Sequence, residues 1–451
     1  MQKGYLIPHP PLLVPGVGKG GEVPDTRRAC EQVAAEIEKL NPETVVIISP
    51  HSVMYADYFH IAPGKNAAGD FGSFGAKQIK LSVDYDEEFA SLIGKIAQEK
   101  GLPAGTLGEK KPALDHGVMV PLFFVKAKRI VRISLSGLSE IDHYRLGKSI
   151  SEAGERLGRN FLVVASGDMS HKLKADGPYG LAKEGAEFDE HIRKNIEVGD
   201  IVGIVETDPA LCEKAAECGF KSLVMLLGAF DGHKVKTKVL CYEGPFGVGY
   251  LTASVSAEGK AESLLPKLIA RHDEKLMAIR TQEGEYVRLA RESAEHFTRT
   301  GKRMKCPDWL SDELIKSRAG VFVSIKKDGN LRGCIGTTAP TESCIAEEII
   351  SNAVSAISRD PRFDPVDEGE LESLIYSVDV LSPAEPIKSK AELDVDRYGV
   401  IVRCGRKSGL LLPALDGVDT VDEQVLIALR KAGINESEPY SLERFEVIRH
   451  K

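Results

Sequence analysis

The chain has 451 residues, of which 42% are apolar and 28% charged, and its formal net charge is -8. That length exceeds one typical core and implies two or three domains. The acidic balance argues against a nucleic-acid partner, because neutralising phosphates needs clustered Lys and Arg. No run approaches the roughly 20 apolar residues of a membrane helix, and the start lacks the pattern of a secretory signal. The eight cysteines form no CxxC pair, so reduced thiols in a cytoplasm are expected.

In chain order, the first half alternates short β-branched runs with amphipathic ones. GYLIPH reads as a strand. Asp25 to Leu40 reads as a helix, with Val33, Ile37 and Leu40 on one face. ETVVIISP is a continuous apolar run of the kind found in a strand buried on both faces. Residues 76–84 alternate like a strand, and Glu87 to Lys100 places Phe89, Leu92, Ile93 and Ile96 at helical spacing. RIVRISL and NFLVVAS are further buried strands, and KVLCYE and GVGYLTASV form a hairpin across Gly244 to Gly247. This alternation predicts a layered α/β domain over residues 1–256, with a mostly parallel sheet flanked by helices. A polar stretch and a linker helix follow over 257–282. Residues 283–451 read as a second, α+β domain with a mainly antiparallel sheet. Its strands are expected at AGVFVSIKK, LRGCIGT, LIYSVDVLSP, GVIVRC and SGLLLPAL, and its helices at 283–300, 341–357 and 421–432.

Of the 11 histidines, His9, His51 and His171 follow predicted strands closely, and His116 sits in the loop before VMVPLFFV. Ligands of open α/β sheets bind beyond the carboxyl ends of the strands. Residues distant in sequence thus converge at one sheet edge. Glu243 ends KVLCYE and joins them. Any one of these histidines, taken alone, reads as an ordinary satisfied polar residue. Together, two neutral imidazoles and a carboxylate make a facial triad suited to Fe(II). The same set also serves catalytic zinc.

Five segments carry a resemblance: Ile7-Pro8-His9-Pro10-Pro11, Ser49-Pro50-His51, Asp115-His116-Gly117, Ser166-Gly167-Asp168-Met169-Ser170-His171 and Tyr242-Glu243-Gly244-Pro245-Phe246-Gly247. They resemble, in order, the catalytic (LigB-like) subunit of class III extradiol ring-cleavage dioxygenases. The resemblance implies Fe(II) on His9, His51 and Glu243, His171 as acid/base, and His116 lining the substrate site. It further implies a small catechol- or aminophenol-type substrate and dioxygen. Asp115 and Asp168 are candidate orienters of the histidines, with turn capping an equal reading for Asp168. Memo-type proteins share the fold, and their third ligand can be a cysteine. Cys241 lies two residues before Glu243 and points to the same strand face, so it stays open as the rival ligand.

Leu331-Arg332-Gly333-Cys334-Ile335-Gly336-Thr337, Asp360-Pro361-Arg362-Phe363, Val380-Leu381-Ser382-Pro383 and Gly409-Leu410-Leu411-Leu412-Pro413 are similar to the AMMECR family, over roughly residues 283 to 451. Arg332 and Cys334 invite a nucleophile reading, since a cation lowers a thiol pKa. The plainer reading is a tight hairpin with Cys334 packed inward, and no catalytic role is assigned there. By analogy, AMMECR-type and Memo-type proteins recur with radical-SAM proteins. That makes a radical-SAM partner, and a metal-dependent hydrolase or lyase that uses no oxygen, the alternative expectation. A homodimer is the default assembly.

Overall fold

The computed structural model describes residues 3–19, 21–110, 113–415 and 417–451. The chain divides into two compact units, Met1–His272 and Asp273–Lys451. The division falls inside a helix of the segment read as a linker.

In chain order the first unit runs β1 (Lys3–Ile7), α1 (Pro24–Leu40), β2 (Thr44–Ser49), β3 (Phe59–His60), β4 (Asn66–Phe71), β5 (Ala76–Tyr85), α2 (Glu87–Glu99), β6 (Ala104–Gly105) and α3 (His116–Phe124). Next come β7 (Arg129–Ser134), α4 (Glu140–Arg156), β8 (Phe161–Ser166), α5 (Lys183–Val198), α6 (Ile201–Val205), α7 (Pro209–Ala215), α8 (Phe220–Gly228), β9 (His233–Glu243) and β10 (Tyr250–Lys260). The helix α9 (Leu265–Thr281) carries the unit boundary.

Eight strands form one sheet in the order β4-β5-β7-β2-β8-β1-β10-β9. Pairings from β5 through β1 are parallel. The hairpins β4–β5 and β9–β10, and the β1–β10 pair, are antiparallel. The sheet is therefore mixed, with a parallel centre and antiparallel edges. Its central strands are buried on both faces, which is why TVVIIS and FLVVAS read as continuous apolar runs. Alternate residues feed two cores. Leu6, Val46, Ile48, Val163 and Ala165 pack with residues of α2, α4, α5 and α8. Tyr5, Ile7, Val45, Ile47, Leu162 and Val164 pack with residues of α1 and α3.

The second unit has helices α10 (Glu285–Thr300), α11 (Asp312–Lys316), α12 (Ile345–Ser358) and α13 (Val421–Ala432). Its strands are β11 (Gly320–Lys327), β12 (Asn330–Gly336), β13 (Leu374–Leu381), β14 (Glu385–Ile387), β15 (Tyr398–Cys404), β16 (Lys407–Leu411) and β17 (Ser441–His450). They form an antiparallel sheet in the order β12-β11-β13-β17-β15-β16, with β14 also on β17. The α/β reading of the first unit and the antiparallel α+β reading of the second hold. One central strand was not anticipated: β17, in SLERFEVIRH, whose charges disguise it. Those charges make cross-strand pairs, Arg403–Glu443 and Arg449–Asp379 among them. Among the described residues, no helix is long and apolar enough to cross a membrane.

Candidate metal centre

Three neighbouring strands, β2, β8 and β1, end at the same side of the sheet. His9 follows β1, His51 follows β2, and Asp168 and His171 follow β8. Strand order alone brings these residues together. His116 arrives from another direction, as the first residue of α3.

His9 is buried, at 2% exposure. Its Nδ1 lies 2.9 Å from Ser166 Oγ. The Ser166 hydroxyl donates its only proton to the Gly117 carbonyl at 2.5 Å, so it accepts from Nδ1–H of His9. That fixes the tautomer and leaves the Nε2 lone pair facing the site, as a metal-binding imidazole requires. Nε2 of His9 is 2.9 Å from Nε2 of His51 and 3.7 Å from Sγ of Cys218. Sγ of Cys218 is also 3.7 Å from Nε2 of His171. The His51 and His116 rings stack with centroids 4.1 Å apart.

Two donor groups, each with ligand atoms mutually within 4.8 Å, share His9: His9 with His51 and His116, and His9 with Asp168 and Cys218. Two ligands on one tetrahedral metal, at roughly 2.0 Å for nitrogen and 2.3 Å for sulfur, lie roughly 3.5 Å apart. The His9–Cys218 separation fits that span as it stands. The two imidazole nitrogens need to part by only a few tenths of an ångström.

Burial lowers the pKa of all four histidines. For His9 the neighbouring His51, His116 and His171 add to it, and His116 falls to about 4 through burial and His51. The array is thus neutral near pH 7 and offers lone pairs. Burial, then the Asp168 charge, holds the Cys218 thiol well above its ordinary value, so a metal there must displace a proton. Burial lifts Asp168 to about 7, against the lowering effect of the His9 N–H, which donates to Oδ1 at 2.9 Å.

Two glycines explain the motifs around these donors. A Cβ on Gly117 would run into Ser49 Oγ, so Asp-His-Gly lets α3 start against the β2 turn. A Cβ on Gly167 would run into Gly219, and their contact lays the Asp168 turn on the Cys218 segment. Asp115 caps α3, accepting from Val118 N–H, and accepts from the hydroxyls of Ser49 and Ser52 on either side of His51. It positions the backbone that carries His51.

Glu243 is placed differently. Its Oε1 accepts the Thr26 N–H at 2.7 Å, in the first turn of α1, and Glu243 belongs to neither donor group. Cys241 sits beside Thr26 and Glu243 and likewise belongs to neither. The cysteine delivered to the histidines is Cys218, which the sequence reading passed over. Cys218 follows no strand; it lies in the loop before α8. The available signal was its Gly219 neighbour, which faces the glycine of the Gly-Asp-Met-Ser-His turn.

In the second unit, Arg332 is committed to other partners than Cys334. Its guanidinium grips Glu370 through two bonds of 3.0 and 2.8 Å and reaches the Asp364 carbonyl. Burial alone would raise the Glu370 carboxyl, but hydrogen bonds from Arg332 and Lys327 outweigh it and bring it to about 2. An unfolded Glu titrates near about 4.3. The stabilisation is therefore complete above that value and is lost as pH falls toward 2. We expect this group to withdraw on the order of 1 kcal/mol between pH 5 and pH 3. Urea midpoints at the two pH values should show a smaller drop in Arg332→Ala than in the unsubstituted protein.

Comparison with known proteins places both units. A protein of Clostridium acetobutylicum, CA_C1420, is 41% identical over 99% of this chain and 98% of its own length. A protein of Thermotoga maritima is 48% identical over 38% of this chain and 98% of its own. Among solved structures, the uncharacterized protein PH0010 of Pyrococcus horikoshii shares 32% identity over 36% of this chain and 88% of that one, with a TM-score of 0.34. Residues 3–253 match the catalytic LigB subunit of aromatic ring-opening dioxygenase and residues 287–450 match AMMECR1, so the chain belongs to the LigB family and carries an AMMECR1 domain carboxy-terminal to it.

Proposed function

We propose that the first unit is a non-haem Fe(II)-dependent oxidoreductase acting on a catechol- or aminophenol-type ring. One observation carries the metal reading: the Ser166 hydroxyl, committed to the Gly117 carbonyl, pins His9 with its Nε2 lone pair toward His51 and Cys218. We assign His9 and His51 as ligands and Cys218 as the third. Cys218 meets His9 but lies in a separate donor group from His51, so the two must close on each other when the metal binds, and Glu243 is the rival to Cys218. Bound iron would supply a Lewis acid able to accept two substrate oxygens and dioxygen. The protein supplies the rest. His171, depressed by burial and by His51, is neutral before reaction and takes a phenolic proton on Nε2. His116, in ring contact with His9 and His51, lines the substrate side, while Asp168 and Ser166 hold His9 in register.

The presence of Cys218 favours a second reading. A thiolate with two imidazoles also suits zinc, which fits a hydrolase or lyase working with a radical-SAM partner. Metal analysis of anaerobically prepared full chain separates the two. The leading reading expects near-stoichiometric iron, and a coloured ring-opened product when catechols and air are added. Stoichiometric zinc, with no oxygen uptake over a catechol panel, would replace it by the second.

A further inference from the structure

The histidine array has an aromatic side chain at each end. Phe74 meets His116 edge to face, with centroids 5.4 Å apart. Tyr179 lies over His171 at 5.0 Å with the planes tilted by 31°. Between them run His116, His51, His9, Cys218 and His171, each in contact with the next.

Both aromatic residues are open to water, Phe74 at 39% and Tyr179 at 57% exposure. Both are nonetheless anchored. Phe74 packs on the fully buried Phe71 at 6.3 Å. The Tyr179 loop is pinned where Ala182 N–H donates to the Lys172 carbonyl and Leu173 N–H to the Gly247 carbonyl. Val53 and Met54, just past His51, are exposed as well. An isolated exposed apolar residue needs no explanation, but several around one polar cluster mark a binding site. Aromatic rings prefer a partner ring in offset or edge-to-face contact. Each of these touches a histidine and keeps part of its ring open to water.

We propose that Phe74 and Tyr179 are the specificity-determining walls of the metal site. They grip a planar aromatic ligand by its ring, while its chelating edge points to the donor cluster centred on His9. The proposal rests on the metal reading above and adds to it the residues, outside the ligand set, that select the aromatic ring over an aliphatic chelator.

The test compares two chelators with the same head group, benzohydroxamate and acetohydroxamate, titrated calorimetrically into zinc-loaded full chain. Zinc keeps redox chemistry out of the measurement. We expect benzohydroxamate to bind at least about tenfold more tightly. Phe74→Ala and Tyr179→Ala should each cut that preference by roughly fivefold, with metal content and melting temperature unchanged. Tyr179→Phe keeps the ring and should keep the preference. A metal-loaded chain that does not discriminate, that binds neither hydroxamate, or that keeps its preference in both alanine variants overturns the proposal. A chain that takes up no metal is seen in the metal analysis before any titration, and sinks the metal reading instead.

Discussion

His9→Ala will lose its metal, and Glu243→Ala will keep it. His9 is the one residue common to both donor groups, and its tautomer is set by a buried chain from Gly117 through Ser166. Removing it deletes a ligand and leaves the Ser166 hydroxyl without the imidazole N–H it accepts, while the backbone N–H that donates to Asp168 stays in place. Loss of an outer partner alone costs metal sites about 10- to 100-fold in affinity. Loss of the ligand itself should exceed that, so His9→Ala is expected to retain less than about a tenth of the metal after dialysis. Cys218→Ser should weaken binding by at least about 100-fold, since a protonated hydroxyl is a poor substitute for a thiolate. Glu243→Ala removes instead the acceptor for Thr26 N–H in the first turn of α1, which costs about 1 kcal/mol of stability. Metal content by elemental analysis, read beside the melting temperature, separates these outcomes. If Glu243→Ala came back metal-free at an unchanged melting temperature, Glu243 would replace Cys218 in the ligand set.

The second large effect lies in the AMMECR1 domain. Glu348→Ala is expected to destabilise that unit by about 3 to 5 kcal/mol. Glu348 is a carboxylate at 1% exposure in the first turn of α12. It accepts four hydrogen bonds: from Thr337 Oγ1 at 2.6 Å, and from Thr341 Oγ1, Thr341 N and Glu342 N at 2.8 Å each. Burial would raise its pKa, but those bonds reverse the effect and lower it. It is therefore charged at neutral pH, and its net effect stabilises above the ordinary carboxylate range. Alanine strips four donors of their acceptor at once. Glu348→Gln keeps the shape but turns one acceptor into a donor, and should recover less than half of the loss. Denaturant unfolding followed by the single tryptophan, Trp309 in this unit, reads the change. A loss under about 1 kcal/mol for alanine would refute the account.

The contrast between these sites shows what the sequence could reveal. Parallel central strands are uniformly apolar, so β2, β7 and β8 were legible from composition alone, and the histidines at their ends followed from the position of ligand sites in such sheets. Cys218 and Ser166 were not legible in this way. Ser166 is the last residue of a buried strand and looks like strand. Its role comes from a carbonyl 49 residues away in sequence. Cys218 depends on two glycines meeting across 52 residues, a contact that no local period encodes. Glu243 was placed correctly at a strand end, yet its side chain turns to α1, and strand periodicity fixes a face rather than a partner. In the second unit, β17 escaped because its ion pairs replace the apolar alternation that marks a strand. The segment read as a helix from 341 begins at Ile345, because residues 341 and 342 are drawn into the Glu348 carboxylate.

The sheet order also sets a timetable. β1 lies between β8 and β10 and, among the described residues, pairs with no other strand. Its parallel neighbour, Phe161–Ser166, leaves the ribosome more than 150 residues later. At about 5–20 residues per second, the amino-terminal strand waits roughly 8–30 s for its first partner. His9 has neither Ser166 nor Asp168 beside it until then, and Cys218 emerges later still. The metal centre is therefore a late product of synthesis. Any metal held through His9 can bind only after Ser166 and Asp168 have emerged.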